Sequence, residues 1–457
     1  MSLASILCLF GMILSGFITY QMASGVNLLR FPFLFSIVHF IYIFPRIFAM
    51  TISGGEISRY YDAQGVLNVM SFMSLFCYIA GLVGYIATRP KVFSVGAWNL
   101  SRRTATHLAI VSSILGFVSI GSTTILVLKV GGFTEYYLNS GFYDQIFEGE
   151  TVWLLFFSRL IYPAIASMGL LAISTRSPWS FAVLLVLCVI PLLNVIYLFR
   201  RSDVIYLIFI LSYFVIAYRG VMLGRAPVLI CSLGIAVTIL LFPALRQEAV
   251  TGGRYIDTAY KSAGAVGYLK STFEVKPGSE IIASAARIEK IVATGHLGWG
   301  AFLWDSLVSQ FLPSVLVGPE AKKALMLSSN STDGKHRGVY DRFNFDNLAP
   351  YGFTEAFEQF SYIGWIVFVG VGLIAGVLER NRNTIRTDVF YVVSIPFLLL
   401  SATNDIYTLP AKLLTIYLVT RLLPRANRFQ SDYVLSPRDL LRIPRQQTCN
   451  KYSIKNS

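Results

Sequence analysis

The sequence predicts an all-α fold, a polytopic transmembrane helical bundle. Three observations lead there. Of the 457 residues, 55% are hydrophobic and only 14% are charged, a balance unlike that of a soluble globular domain. Apolar runs of about 20 residues, enough to cross a hydrocarbon core of about 30 Å, recur along the chain. Lipid tolerates only helices or closed barrels, and these runs are too long for barrel strands.

The apolar runs give about eleven spans, twelve if one is missed: 2–20, 31–52, 66–87, 105–128, 152–174, 179–198, 202–218, 226–243, 361–378, 389–403 and 406–422. The first lacks a basic n-region and an A-x-A-like cleavage site, and reads as a retained helix. Residues 1–243 thus form an N-terminal set of transmembrane helices, 244–360 a large external and partly helical cap loop, 361–422 a C-terminal set, and 423–457 a basic tail. Cys8, Cys77, Cys188 and Cys231 lie inside apolar runs and Cys449 in the tail, which excludes a disulfide framework and a cysteine metal site. The histidines His39, His107, His296 and His336 show no i, i+4 pairing, so no metal is expected.

Orientation follows from the basic residues of the short loops. Arg89, Lys91, Arg102 and Arg103, then Arg219 and Arg225, then Arg380, Arg382 and Arg386, and the basic tail all fall on one side by parity. That side is cytoplasmic. Segment 129–151 falls opposite, with Lys129 against Glu135, Asp144, Glu148 and Glu150. Much of the formal charge of +14 is therefore topology signal, and no nucleic-acid partner is needed to explain it. Within the cap loop, Lys276 to Gly295 reads as a helix with Ser279 as N-cap, Glu280 in the first turn and Gly295 as terminator. Gly298 to Pro313 reads as an interfacial or re-entrant helix.

Several cations contradict a pure topology signal. Arg200 and Arg201, with Asp203, sit in the outward hairpin between spans six and seven. Arg46, Arg159 and Lys412 fall in the outer halves of their spans, and Arg246 just beyond the outer end of span eight. A charge at a helix centre costs about 2.5–3.5 kcal/mol on insertion scales, so a set on one level needs an offset. Snorkelling to headgroups, or pairing with an internal carboxylate such as Asp203 or Asp405, is one offset. An anionic ligand is the other: phosphate or diphosphate suits the planar guanidinium fork, and a diphosphate in the outer leaflet implies a polyprenyl-diphosphate sugar.

A second constellation precedes span nine. In "NLAPYGFTEAFEQFSYIGW", Glu355 and Glu358 share one helix face at the external mouth. A carboxylate there suits the general-base step of glycosyl transfer. Acids in a first helical turn also satisfy free amides and the helix dipole.

The stretch "RRSDVIYLIFILSYFVIAY", the long external loop and "YGFTEAFEQFSYIGWIVFVGVGLIAGVL" together resemble the Wzy-type O-antigen or oligosaccharide repeat-unit polymerases. The matching residues are Arg201 and Ser202 in an Arg-containing turn, and Gly352, Thr354 and Glu355 in a G-x-T-x-E-like helix opening. Arg287 and Gly298 have the spacing of an Arg-x10-Gly element of some members. The resemblance covers roughly 190–380. The short, acidic segment 129–151 departs from the two Arg-rich loops of some members.

The resemblance implies a GT-C-like glycosyltransferase of the bacterial inner membrane that joins undecaprenyl-diphosphate oligosaccharides. A chain-length regulator and a flippase are implied as partners, and no cofactor. Arg46, Arg159, Arg200, Arg201, Arg246 and Arg287 are then the candidate diphosphate ligands, Glu355 the first candidate base and His296 the second. A flippase of the same lipid-linked glycan, or a ligase passing it to another acceptor, uses the same site physics.

Overall fold

The computed structural model describes residues 2–52, 63–90, 98, 100–133, 136, 151–198, 201–219, 224, 226–228, 280–312, 317–327, 350–403 and 406–426. Every regular element among them is helical. The helices are α1 (Leu3–Met22), α2 (Phe31–Ile52), α3 (Ala63–Ala87), α4 (Arg102–Lys129), α5 (Thr151–Ser158), α6 (Ile161–Thr175), α7 (Pro178–Leu198) and α8 (Arg201–Arg219). Then come α9 (Glu280–Thr294), α10 (Ala301–Phe311), α11 (Pro319–Leu325), α12 (Gly352–Phe360), α13 (Trp365–Arg380), α14 (Ile385–Thr403) and α15 (Leu409–Thr420). Among the described residues, 8 helices are long and apolar enough to cross a membrane, and two shorter apolar helices match spans seven and eleven. The expected span at 226–243 lies outside the described residues past 228.

The packing is that of a bundle solvated by lipid. In α1 the buried residues are Ala4, Ser5, Cys8, Gly11, Ser15 and Thr19, whereas Leu3, Ile6, Phe10, Ile13, Phe17 and Tyr20 are exposed. The small residues recur every three or four positions and let the helix approach its neighbours closely, while the large apolar ones face outward. In α4, likewise, Ser112, Gly116 and Ser119 are inside and Ile110, Ile114 and Phe117 outside. Some of the hydroxyls inside bond within their own helix, as Ser15 Oγ does to Gly11 O at 2.6 Å, and others across to a neighbour, as Ser119 Oγ does to Ser158 O at 2.6 Å. The chain is a multi-pass helical membrane protein.

Two local sequence features shape the elements that carry the site. Pro45 has no N–H to give to Ile41, and the turn before it, His39–Ile43, widens into a π-helix. That turn sets the direction in which Tyr42 and Arg46 leave α2. The span expected at 361–378 begins differently from a straight helix: Ser361, at φ 55°, ends α12, and α13 starts after one 3-10 turn. Glu355 and Glu358 therefore stand on a separate short helix. Both α9 and α12 bury apolar faces (Ile281, Ile288, Phe353 and Phe357) in the same core as the membrane helices.

Helices α3 and α13 meet backbone to backbone. A Cβ at Gly372 would stand 2.0 Å from Gly81 O, whereas one at Gly370 would meet nothing within 4 Å. We expect Gly372→Ala to cost about 1–3 kcal/mol, the usual cost of overpacking, and to lower the melting temperature in detergent, with Gly370→Ala unchanged. Equal melting of both variants would refute this α3–α13 packing.

Candidate functional site

Among the described residues, the arginine–carboxylate contacts between helices fall at two levels, near opposite ends of α2. We call them inner and outer after the sides expected from the loop charges. Residues that touch across the fold lie at the same expected end in both groups.

At the inner end, Arg30 Nε donates to Glu379 Oε1 at 2.9 Å and to Tyr85 OH at 3.1 Å, and Tyr85 donates to Glu379 Oε2 at 2.6 Å. Beside them Arg382 Nε donates to Asp388 Oδ1 at 2.9 Å, and Tyr213 donates to the same oxygen at 2.5 Å. Trp98 Nε1 reaches Asp388 Oδ2 at 3.4 Å. The guanidinium of Arg382 lies 4.6 Å from the Tyr391 ring centroid, and the Tyr391 hydroxyl donates to Leu29 O at 2.7 Å. Both carboxylate side chains are only 1% exposed. Arg382 and Arg386, expected as ordinary loop charges, are drawn into the packing, with Arg386 donating to Leu423 O.

The outer level is built on α9. Glu280, Ser284 and Arg287 follow one another at four and three residues, so they form one polar stripe about 10 Å long. Glu280 Oε2 accepts from Arg46 Nη1 at 3.3 Å and from the Tyr42 hydroxyl. Arg46 also reaches the hydroxyls of Tyr42 at 3.2 Å and Tyr351 at 3.4 Å, and lies 4.3 Å from the Tyr42 ring centroid. Ser284 Oγ accepts from Tyr351 N at 2.9 Å. Arg287 Nη1 pairs with Glu358 Oε2 at 3.1 Å, and Tyr407 donates to that same carboxylate oxygen. Burial pushes the Lys290 ammonium below its usual range; Glu358 opposes this and Arg287 adds to it. These carboxylates are more open than the inner ones, with side chains 26% exposed for Glu280 and 14% for Glu358.

The Arg-x10-Gly spacing has a physical meaning here. Its two ends meet on one residue: the Arg287 guanidinium on the Glu358 carboxylate and the Gly298 N–H on the Glu358 carbonyl at 2.9 Å. The helix α9, ended by Gly295 at φ 65°, and the loop after it thus form a clip over α12. The G-x-T-x-E residues lie on the same short helix. A Cβ at Gly352 would stand 1.7 Å from Ser401 O, so only glycine admits the backbone of α14 there. Glu355, buried at 5% exposure, accepts from Ile406 N at 2.7 Å through Oε2. It fastens α12 to the connection before α15. Thr354 Oγ1 and both amide atoms of Gln359 are buried with no hydrogen-bond partner.

The structure brings together Arg46, Arg287, Glu355 and Glu358 from the expected set. Of the two offsets expected for these arginines, an anionic ligand or an internal carboxylate, the structure shows a carboxylate at both Arg46 and Arg287, supplied by Glu280 and Glu358. Arg159 is exposed in the break between α5 and α6, and no contact among the described residues joins it to the outer cluster. His296 is exposed in the loop after α9, where its backbone N–H donates to Thr294 Oγ1 at 3.3 Å. Arg200, Arg246, Asp405 and Ser279 lie outside the described residues, as does the side chain of Arg201. Asp203 accepts from Tyr162 at 2.5 Å, and among the described residues its Oδ2 has no hydrogen-bond partner. Lys412 stands 5.6 Å from the Phe397 ring centroid.

Sequence reasoning missed Tyr42, Glu280, Tyr351 and Tyr407 as partners. The available signals were Tyr42 and Arg46 at i, i+4 and the stripe on α9. No family model matches the chain, and no curated protein or solved structure matches it either.

The two levels differ in what an arginine replacement does to stability. Arg382→Gln strands a buried Asp388 and should cost about 3 kcal/mol. Arg287→Gln leaves a partly solvated Glu358 and should cost about 1 kcal/mol or less. Thermal unfolding in detergent should rank them in that order, and the reverse order would contradict the assignment of the inner pair as structural.

Proposed function

We propose that the chain is an oligosaccharide repeat-unit polymerase of the bacterial inner membrane, working at its outer face on undecaprenyl-diphosphate-linked glycans. One observation carries the reading: Arg46 and Arg287 converge at the outer end on a single helix, α9, each in a partly exposed polar cluster. Guanidinium groups at that depth suit a diphosphate that a lipid holds at the membrane surface.

In the reaction, the hydroxyl of a single lipid-linked repeat unit attacks the anomeric carbon of the growing glycan. The new bond is the glycosidic C–O bond. The bond that breaks joins the anomeric carbon to the donor diphosphate, which leaves on its undecaprenyl chain. A carboxylate takes the hydroxyl proton. Arg46 and Arg287 hold the diphosphates and stabilise the charge that develops on the leaving group. Arg159, Arg200, Arg201 and Arg246 complete the proposed cationic set, and Glu355 is the proposed base, with His296 second. The architecture proposed is GT-C-like, and a chain-length regulator and a flippase are the proposed partners.

The inner-end networks favour an enzyme over a flippase of the same substrate. Carrying a glycan across would require parting Arg30 from Glu379 and Arg382 from Asp388, whose carboxylates are 1% exposed, and stranding such charges is costly.

The test is complementation of a deletion strain. Arg46→Gln and Arg287→Gln should each reduce long-chain polymer by roughly tenfold or more at normal protein level, the loss of a charge-assisted hydrogen bond, and single-repeat product should accumulate. Glu355→Gln at normal protein level should abolish polymer; retained long chains would remove Glu355 from the mechanism. Total absence of glycan on the final acceptor in the deletion strain would indicate a ligase instead. Reconstitution with lipid-linked repeats on the outer side separates chain extension, expected here, from movement without extension.

A further inference from the structure

We propose that Glu280 and Glu358 are exchangeable counter-ions, holding the places on Arg46 and Arg287 that a lipid-borne diphosphate takes when it binds. This rests on the polymerase reading given above. Arg46 pairs with Glu280 at 3.3 Å and Arg287 with Glu358 at 3.1 Å, so in the resting protein each guanidinium already has an anion. A diphosphate carries more charge and more acceptor oxygens than one carboxylate, and takes both donors of a guanidinium fork. It therefore wins the exchange, whereas a singly charged or neutral lipid does not. The carboxylates are the specificity-determining groups.

Two features separate these pairs from the buried inner ones. The outer carboxylates keep 26% and 14% of their side-chain surface open, so a displaced carboxylate reaches water without crossing the core. At the inner end the corresponding figure is 1% for both Glu379 and Asp388, where release would strand a charge. The exchange does not require α9 to leave its seat. Ile281, Ile282, Ala285, Ile288 and Ile291 stay buried, and Ser284 Oγ still accepts from Tyr351 N at 2.9 Å. The phenols of Tyr42 and Tyr407, which donate to the carboxylates at rest, become donors to the incoming phosphate oxygens. The outer site is thus neutral when empty, which offsets the cost of holding two arginines near lipid.

The experiment titrates the purified full-length protein in detergent with farnesyl diphosphate, a short polyprenyl diphosphate. Glu280→Gln and Glu358→Gln should each tighten binding about fivefold, the factor a partly exposed ion pair represents. Glu320→Gln, an exposed acid on α11, makes the same charge change and should leave binding unaltered. Should a glutamine variant fail to fold, Glu280→Asp and Glu358→Asp withdraw the carboxylate by one methylene and should tighten binding in the same direction. Unchanged or weaker binding in the carboxylate variants, with binding still lost in Arg46→Gln and Arg287→Gln, would overturn the counter-ion role and leave the polymerase reading standing. Binding that ignores both arginines would overturn that reading itself. Inorganic pyrophosphate should compete only at far higher concentration; equal potency would assign the site to a free diphosphate and overturn the lipid-borne one.

Discussion

A bilayer offers no hydrogen bonds, and this one constraint organises the molecule. Every buried donor, acceptor or charge between the helices has to find its partner inside the protein. The solution recurs. Among the described residues, four Arg–carboxylate pairs can be traced, and each carboxylate also accepts from a tyrosine: Arg30–Glu379 with Tyr85, Arg382–Asp388 with Tyr213, Arg46–Glu280 with Tyr42 and Arg287–Glu358 with Tyr407. A phenol suits this position because its ring packs with apolar neighbours while its hydroxyl fills a lone pair the guanidinium leaves open.

The same unit serves two purposes because the two ends differ in solvent access. At the inner end it ties α2, α3, α8, α13 and α14 together around carboxylates shut off from water. At the outer end it is less buried and sits on α9 and α12, which share the core of the membrane helices. A closed inner end and a more accessible outer end, where paired arginines stay within reach of water, suit chemistry on one face of the membrane better than passage through it.

The sequence made some of this legible. Hydropathy located the spans, because apolar length is a local property. The helix at 280–294 was readable from Glu280 and Gly295, and parity put Arg46 at the same end as that helix, where the structure pairs it with Glu280. What stayed hidden was the pairing. Arg46 and Glu280 are separated by 234 residues and Arg30 and Glu379 by 349, and periodicity within one helix carries no information about a partner so distant. Glu280 looked like an ordinary first-turn acid, and it is also the counter-ion of Arg46. Glu355 looked poised at an open mouth, and it is tied to the Ile406 N–H. The break at Ser361 was equally invisible, since a non-glycine residue at φ 55° contradicts the local propensity and is held by packing.

The most direct measurement is retention of radiolabelled undecaprenyl diphosphate by the detergent-extracted protein. Wild type and Lys322→Gln, which removes a cation of α11 outside the cluster, should retain it equally. The double variant Arg46→Gln, Arg287→Gln should lose it while eluting as folded protein. Retention by the double variant equal to that of wild type would contradict a diphosphate site at the outer arginines.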